Sequence, residues 1–231
     1  MTRFFTITFR LRHKLSVYSS TDGSAYFETG LNKVLAIVTG PVESRKQSEQ
    51  TGKKGVISVH VTSSAFNGND HRRKRLNERR TLEMESILRK TFEGVVLLEL
   101  YPRSEINITL HVLETDGSVI CTMINAVTLA LMDAGISMSD IITACTVGHV
   151  HGNLCVDTNQ VEQYDGGAYL PVAVRSKNAD LIFLQLNCKL HADVLGEALE
   201  VAIMGCRKIK LYLEDVMKSY MSSTLRVLGT S

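Results

Sequence analysis

The stretch 120–134 carries one charged residue, Asp133, in an otherwise apolar or small-polar run. It opens after Asp116-Gly117, a turn signal, and closes at Gly135, a natural helix C-cap. The run reads as a single helix. A helix without a charged face is buried on most sides, so the rest of the chain has to enclose it.

The flanking segments supply candidates. Residues 24–29 and 33–39 flank Gly30 and Asn32 as a hairpin, with Gly40-Pro41 stopping the second strand. Residues 44–54 are polar and read as an exposed loop. Residues 56–63 alternate Ile57, Val59 and Val61 against Ser58, His60 and Thr62, the pattern of a half-buried strand. Leu82, Ile87, Leu88, Phe92, Val95 and Val96 recur near helical spacing, with Asn77 as N-cap and Pro102 beyond the exit. Residues 105–113 alternate again. After the apolar helix, 141–150, 154–156, 170–174 and 180–187 read as strands. A long final helix carries Leu195, Leu199, Ala202, Cys206, Ile209, Leu213, Val216 and Tyr220 in steps of four and three. The same spacing suits a coiled coil, but the mixed context favours a helix packed on a sheet. The chain is thus α+β (mixed α/β), with β-sheets packed against helices. Residues 1–20 are set apart, and 21–231 form a single domain.

Composition narrows the class. With 44% hydrophobic and 22% charged residues, global disorder is excluded. No run of about 18 apolar residues is present, so no membrane-spanning helix and no membrane partner are expected. The five cysteines are scattered without a CxxC pair and read as reduced core residues of an intracellular protein. His149 and His151 share a strand face but lack a third ligand, so no metal site is expected. Residues 1–20 hold Arg3, Arg10, Arg12 and Lys14, and the first acid is Asp22. They read as a first strand with a basic flank or as an organelle transit segment.

Three features carry possible chemistry. Arg72, Arg73, Lys74, Arg75, Arg79 and Arg80, offset by Glu78, give a local 6 − 1 = +5, which leaves 2 − 5 = −3 elsewhere. Such a cluster suits the phosphates of RNA or another polyanion, or else a solvated loop or targeting patch. Asp116-Gly117-Ser118 precedes a helix N-terminus, where free N–H groups meet anions; an ordinary turn uses the same residues. Asp157, Glu162 and Asp165 form an acidic cluster that suits a metal or acid–base role, or a surface loop with Gly166-Gly167.

In order along the chain, these features resemble one family. Asp22-Gly23-Ser24-Ala25-Tyr26, then Gly30-Leu31-Asn32-Lys33-Val34-Leu35-Ala36, then Gly40-Pro41, resemble the opening strands of the RNase PH family. Asn77-Glu78-Arg79-Arg80 with Glu83-Met84 resemble its arginine-led first helix. Leu113-Glu114-Thr115-Asp116-Gly117-Ser118, Ile124-Asn125-Ala126 and Leu131-Met132-Asp133-Ala134-Gly135-Ile136 resemble its central helix. The match runs from about Asp22 almost to the C-terminus. Tyr101-Pro102-Arg103-Ser104, Asp140 and Asp157-Thr158-Asn159 resemble the branch that builds the ring of the RNA exosome. Family members usually begin with an Arg-x-Asp-Gly-Arg segment, which residues 1–20 lack.

The resemblance implies an RNase PH-like fold and a heterohexameric ring with sister subunits of that fold, RNA threading its channel. It also implies S1/KH-type RNA-binding cap proteins, a separate hydrolytic exoribonuclease, and roles in rRNA processing and mRNA decay in nucleus, nucleolus and cytoplasm. Active members cleave RNA from its 3′ end with inorganic phosphate, releasing nucleoside diphosphates. Gly117 and Ser118 match the family's phosphate turn, but Val119 stands at its arginine position. Asp157 matches the first acid; Gln163 stands at the second, flanked by Glu162 and Asp165. Arg79 and Arg80 match the RNA-binding pair, extended by Arg72, Arg73, Lys74 and Arg75. The expectation is therefore a ring subunit that binds RNA without catalysing phosphorolysis, with Asp157 and Ser118 as vestigial catalytic candidates and no cofactor. The alternative is an active phosphorolytic exoribonuclease that uses inorganic phosphate, with Mg as a further requirement. A third reading is a structural module that does not contact RNA.

Overall fold

The computed structural model describes residues 10–43, 54–64, 66–67, 79–150, 152–164, 167–186 and 188–228. Strands β1 (Leu11–Leu15), β2 (Gly23–Thr29), β3 (Asn32–Glu43), β4 (Val56–Ser63) and β5 (Ser104–Glu114) form one sheet, ordered β1-β2-β3-β5-β4. Its pairs are antiparallel except β4–β5. A parallel neighbour needs a crossover, and the chain between β4 and β5 supplies helix α1 (Arg79–Glu93). The second sheet, ordered β7-β6-β8-β9, is antiparallel and comprises β6 (Ile142–Val150), β7 (Asn153–Val156), β8 (Ala168–Arg175) and β9 (Leu181–Leu184).

Helix α2 (Val119–Asp133) joins the sheets, packing on β2 and β3 of the first and on β6 and β8 of the second. Every residue from Val119 to Leu131 is buried, as its missing charged face requires. The approach to β2 is close: a Cβ on Gly23 would stand 2.4 Å from the Ala130 carbonyl oxygen. A short α3 (Gln160–Tyr164) precedes β8, and the long α4 (Ala192–Leu228) lies against β6. Ala202, Cys206, Ile209, Leu213 and Val216 form its buried stripe. The α+β expectation, with sheets packed against helices, therefore holds.

Asn125 fixes α2 to the second sheet. Its Nδ2 donates to the Ala144 carbonyl at 2.8 Å, and its Oδ1 accepts the Ala144 N–H at 2.9 Å. β7 pairs with β6 only from Val147 onward. Ala144 therefore lies on strand edge beyond the reach of β7, and the amide takes the place of a neighbouring strand. Asn125 is 1% exposed, so these backbone groups have no water to fall back on. At the other end of α2, Asp133 accepts the Ser24 N–H at 2.9 Å and the Ser16 hydroxyl at 3.0 Å. The helix's single charge is thus placed by hydrogen bonds to the first sheet and to the chain leaving β1.

Several expectations change in detail. Gly40-Pro41 does not stop β3, which continues to Glu43 through a register shift between Thr39 and Val42. Gly40 has φ +133°, and its left-handed backbone lets the strand bulge and resume. Within residues 1–20, Leu11–Leu15 form the first strand that one of the two readings of this segment expects; they pair along β2, and His13 Nδ1 meets the Tyr212 hydroxyl of α4 at 2.7 Å. α1 ends at Glu93, so Val95 and Val96 are buried beyond it. β9 is shorter than 180–187, and α3 occupies part of the expected acidic loop. Asn77, and 44–53 of the expected loop 44–54, lie outside the described residues.

Asn125→Leu keeps helix propensity and approximate size but leaves both Ala144 groups unpaired. The expected loss is roughly 2–6 kcal/mol, at about 1–3 kcal/mol per unsatisfied buried group, read as a shift of the urea midpoint at unchanged slope.

Candidate functional site

The turn before α2 meets the end of β7. Gly117 adopts φ +95°, and a Cβ there would stand 2.3 Å from the Thr158 carbonyl oxygen, so a side chain is excluded. Ser118 follows as the N-cap, 1% exposed, without the usual side-chain bond to the helix N–H groups. Its hydroxyl points across the gap instead, 3.1 Å from Asp157 Oδ1 and 3.3 Å from the Thr158 carbonyl, its one proton shared between them. Asp157 adopts φ +62°, and its N–H bonds the Thr146 carbonyl at 2.8 Å. The expected pair, Ser118 and Asp157, is thus brought together, with Thr29, Cys121, Thr122 and Asn125 lining the same small pocket. Thr29 Oγ1 is buried there without a hydrogen-bond partner among the described residues.

Val119 is 7% exposed and belongs to the hydrophobic core. Its N–H turns back to the Gly117 carbonyl at 2.6 Å, so one of the N–H groups that an anion would use is already engaged. Burial pushes the Asp157 carboxyl above the ordinary range. The Ser118 hydrogen bond opposes this, and the charges of Asp116 and Glu162 push it further up. Among the described residues, no positive charge enters that balance. The site is an acidic cluster at a helix N-terminus.

The acids flanking Gln163 are partly committed. Glu162 Oε2 accepts the Asn159 N–H at 2.8 Å, the return half of a capping box on α3. Asp116 Oδ1 accepts the Gln160 N–H at 3.1 Å. Gln163 does reach the site: a Cβ on Gly117 would stand 3.0 Å from its Nε2. The structure therefore places an uncharged amide beside the Gly117 turn. Asp165, His151 and Arg72, Arg73, Lys74 and Arg75 lie outside the described residues. Among the described residues, no group of three or more His, Cys, Asp or Glu side chains could hold a metal ion.

Arg79 and Arg80 open α1 and are exposed, with no acid in its first turn. Cations at a helix N-terminus oppose the helix dipole by about 0.3–1 kcal/mol each, so local stability does not explain them. Arg80 lies within electrostatic reach of Tyr169, whose hydroxyl hydrogen-bonds Thr146. Burial and the neighbouring Cys121 push the Tyr169 phenol upward, and Arg80 pulls it down. Thr146 in turn bonds the Cys121 thiol in the first turn of α2. Arg80 is thereby linked, through Tyr169 and Thr146, to the Ser118–Asp157 pocket. Thr29, Thr146 and Tyr169 had no signal in the sequence, because each reaches the site through strand pairing or helix packing.

Because the Asp157 pKa is raised in the fold, the folded state holds its proton more tightly than the unfolded chain. Its contribution is full below the ordinary carboxylate value and is lost as pH rises through the folded value. Asp157→Asn keeps an acceptor for Ser118 and removes the charge. The variant is expected to be more stable than the parent at pH 7, and the two are expected to converge at acid pH in denaturation across a pH series.

The model of the RNase PH family, described as the 3′ exoribonuclease family, domain 1, matches residues 10–137. That match starts ahead of the Asp22 where the resemblance begins, and it takes in β1. Exosome complex component RRP41 of Homo sapiens is 34% identical over 221 residues, covering 95% of this chain and 90% of the relative. Exosome complex component Rrp41 of Thermococcus onnurineus is 33% identical, covering 90% and 83%. Rice Rrp46 shares the fold at a TM-score of 0.79 and 22% identity, over 90% of this chain and 94% of its own. A chain of the Archaeoglobus fulgidus exosome with RNA bound to the active site does so at 0.76 and 19% identity, over 89% of each. The fold is thus RNase PH-like, and the chain belongs to the RNase PH family, where it is similar to exosome components.

Proposed function

We propose that this chain is a core subunit of an exosome-type ring, which contacts RNA and scaffolds 3′→5′ processing without carrying out phosphorolysis itself. The observation that carries the reading is the charge at the α2 N-terminus. Phosphorolysis needs an inorganic phosphate dianion held against the terminal RNA linkage, and positive charge to stabilise the transition state. Here Asp116, Asp157 and Glu162 act on the site together, and the family's arginine position holds buried Val119. A dianion entering this field meets repulsion in place of a clamp. Losing one such donor costs about 3–4 kcal/mol of transition-state stabilisation.

The RNA-contact half of the machinery is retained. Arg79 and Arg80 are exposed at a helix end that gains nothing from them, and Arg80 lies within electrostatic reach of Tyr169. In this reading the sister subunits are RNase PH-fold chains in a heterohexameric ring, with S1/KH-type cap proteins and a separate hydrolytic exoribonuclease supplying cleavage. The complex would serve rRNA processing and mRNA decay in nucleus, nucleolus and cytoplasm. Arg72, Arg73, Lys74 and Arg75, immediately before α1 in sequence, would extend the RNA contact.

Arg79→Ala combined with Arg80→Ala removes two phosphate contacts. The expected result is weaker binding of single-stranded RNA by the assembled complex, with the log–log salt slope reduced by about 1.4, at roughly 0.7 per contact. An unchanged slope counts against RNA contact by this pair. Val119→Arg supplies the missing cation. It is expected to tighten inorganic phosphate binding at least tenfold by calorimetry, whereas no gain would mean that another feature excludes phosphate.

A further inference from the structure

A second cavity shares no lining residue with the Ser118–Asp157 pocket. It measures about 120 Å³ and forms between the β8–β9 turn and the middle of α4. The turn contributes Arg175, Ser176 and Lys177; α4 contributes Arg207 and Lys210, three residues apart on one face. Ile203 and Cys206 contribute apolar wall. The lining holds four cations and no carboxylate.

Two polar atoms in this cavity's lining residues are buried without a partner among the described residues, Arg175 Nε and Ser176 Oγ. A guanidinium N–H can only donate, and a buried donor without an acceptor is costly. The Arg175 fork is half satisfied, with Nη2 donating to the Gly94 carbonyl at 3.3 Å. The turn itself is pinned: the Ser176 N–H bonds the Ile141 carbonyl at 3.0 Å, and the Lys177 N–H bonds Asp140 Oδ2 at 2.6 Å. Lys210 Nζ ties α4 to the turn through the Ser176 carbonyl at 3.2 Å and pairs with Glu214 at 3.7 Å. The nearby carboxylates Asp140 and Glu214 are thus occupied, and the exposed Arg207 has no partner among the described residues.

We propose that this cavity is a binding site for a phosphate group, separate from the family's phosphate turn and independent of the function proposed above. The lining offers donors from the strand end, the turn and the helix, with Lys177 Nζ and Lys210 Nζ held in place by the Ser139 and Ser176 carbonyls. A tetrahedral oxyanion offers acceptor oxygens in that many directions, whereas a planar carboxylate offers two in one plane. The volume holds such a group with water to spare. The phosphate belongs either to an RNA backbone or to a small phosphorylated molecule.

The test uses the whole chain, isotopically labelled, with amide shifts read at constant ionic strength. Pyrophosphate, a single-stranded oligouridylate and acetate are the probes. Saturable shifts at Ser176 and Lys177 with pyrophosphate or oligouridylate are expected. Whichever probe saturates at lower concentration identifies the source as a small molecule or RNA. Lys177→Glu with Arg207→Glu, both exposed positions, should weaken the response at least tenfold, and Ser176→Ala should weaken it less. Shifts at Gly117 and Ser118 report the other site separately, so the two readings fail independently. Absence of saturation with both phosphate probes, or an equal response to acetate, overturns the proposal.

Discussion

Two hydrogen bonds, from one buried amide to one strand residue, hold the two halves of the fold in register. Asn125 grips both backbone groups of Ala144 where β7 no longer covers the edge of β6. Because α2 has no polar face, packing alone leaves its rotation and slide along the sheets weakly specified; directional bonds remove that freedom. The consequences run outward. Thr146, two residues on, anchors Asp157 through its carbonyl and Cys121 through its hydroxyl. Ser118, at the start of the same helix, then faces Asp157. The site geometry depends on helix α2 being clamped to this strand.

That clamp positions a site whose local architecture outlasts its electrostatics. The glycine turn, the N-cap serine and the left-handed aspartate are all in place: the Thr158 carbonyl excludes a side chain at Gly117, and the Ser118 hydroxyl donates to Asp157. What a phosphate would need in addition is charge, and the sign is wrong. Valine at the arginine position contributes burial to the core, a gain of about 1.5–3 kcal/mol for a full side chain, which a guanidinium there would forfeit. Under the proposed function, the valine trades transition-state stabilisation for packing, a trade tolerable in a subunit that contributes RNA contact and scaffolding.

Much of the fold was legible in the sequence because single elements report their own environment. The uncharged run 120–134 announced a buried helix, 56–63 announced a half-buried strand, and Gly135 announced a stop; the structure places them as α2, β4 and a left-handed C-terminal residue. Misreadings arose where local punctuation was overruled by sheet pairing. Gly40-Pro41 reads as a terminator, yet β3 has β5 beside it and resumes through a bulge. Asn159 and Glu162 carried a capping-box spacing, but five helical residues before two glycines read as loop. The site divides in the same way. Ser118 and Asp157 were visible through their motifs, whereas Thr29, Thr146 and Tyr169 reach it only through tertiary contacts. The second cavity had no motif at all: Arg175 and Arg207 are 32 positions apart (207 − 175) and meet because α4 folds back over the β8–β9 turn.

The central claim is that RNA contact persists while the phosphate clamp is lost. Its most direct test is the phosphate-dependent release of nucleoside diphosphates from a 3′-labelled RNA by the chain assembled with its RNase PH-fold partners. The account predicts no release attributable to this subunit, and no change on Asp157→Ala. Phosphate-dependent release that Asp157→Ala abolishes would contradict it.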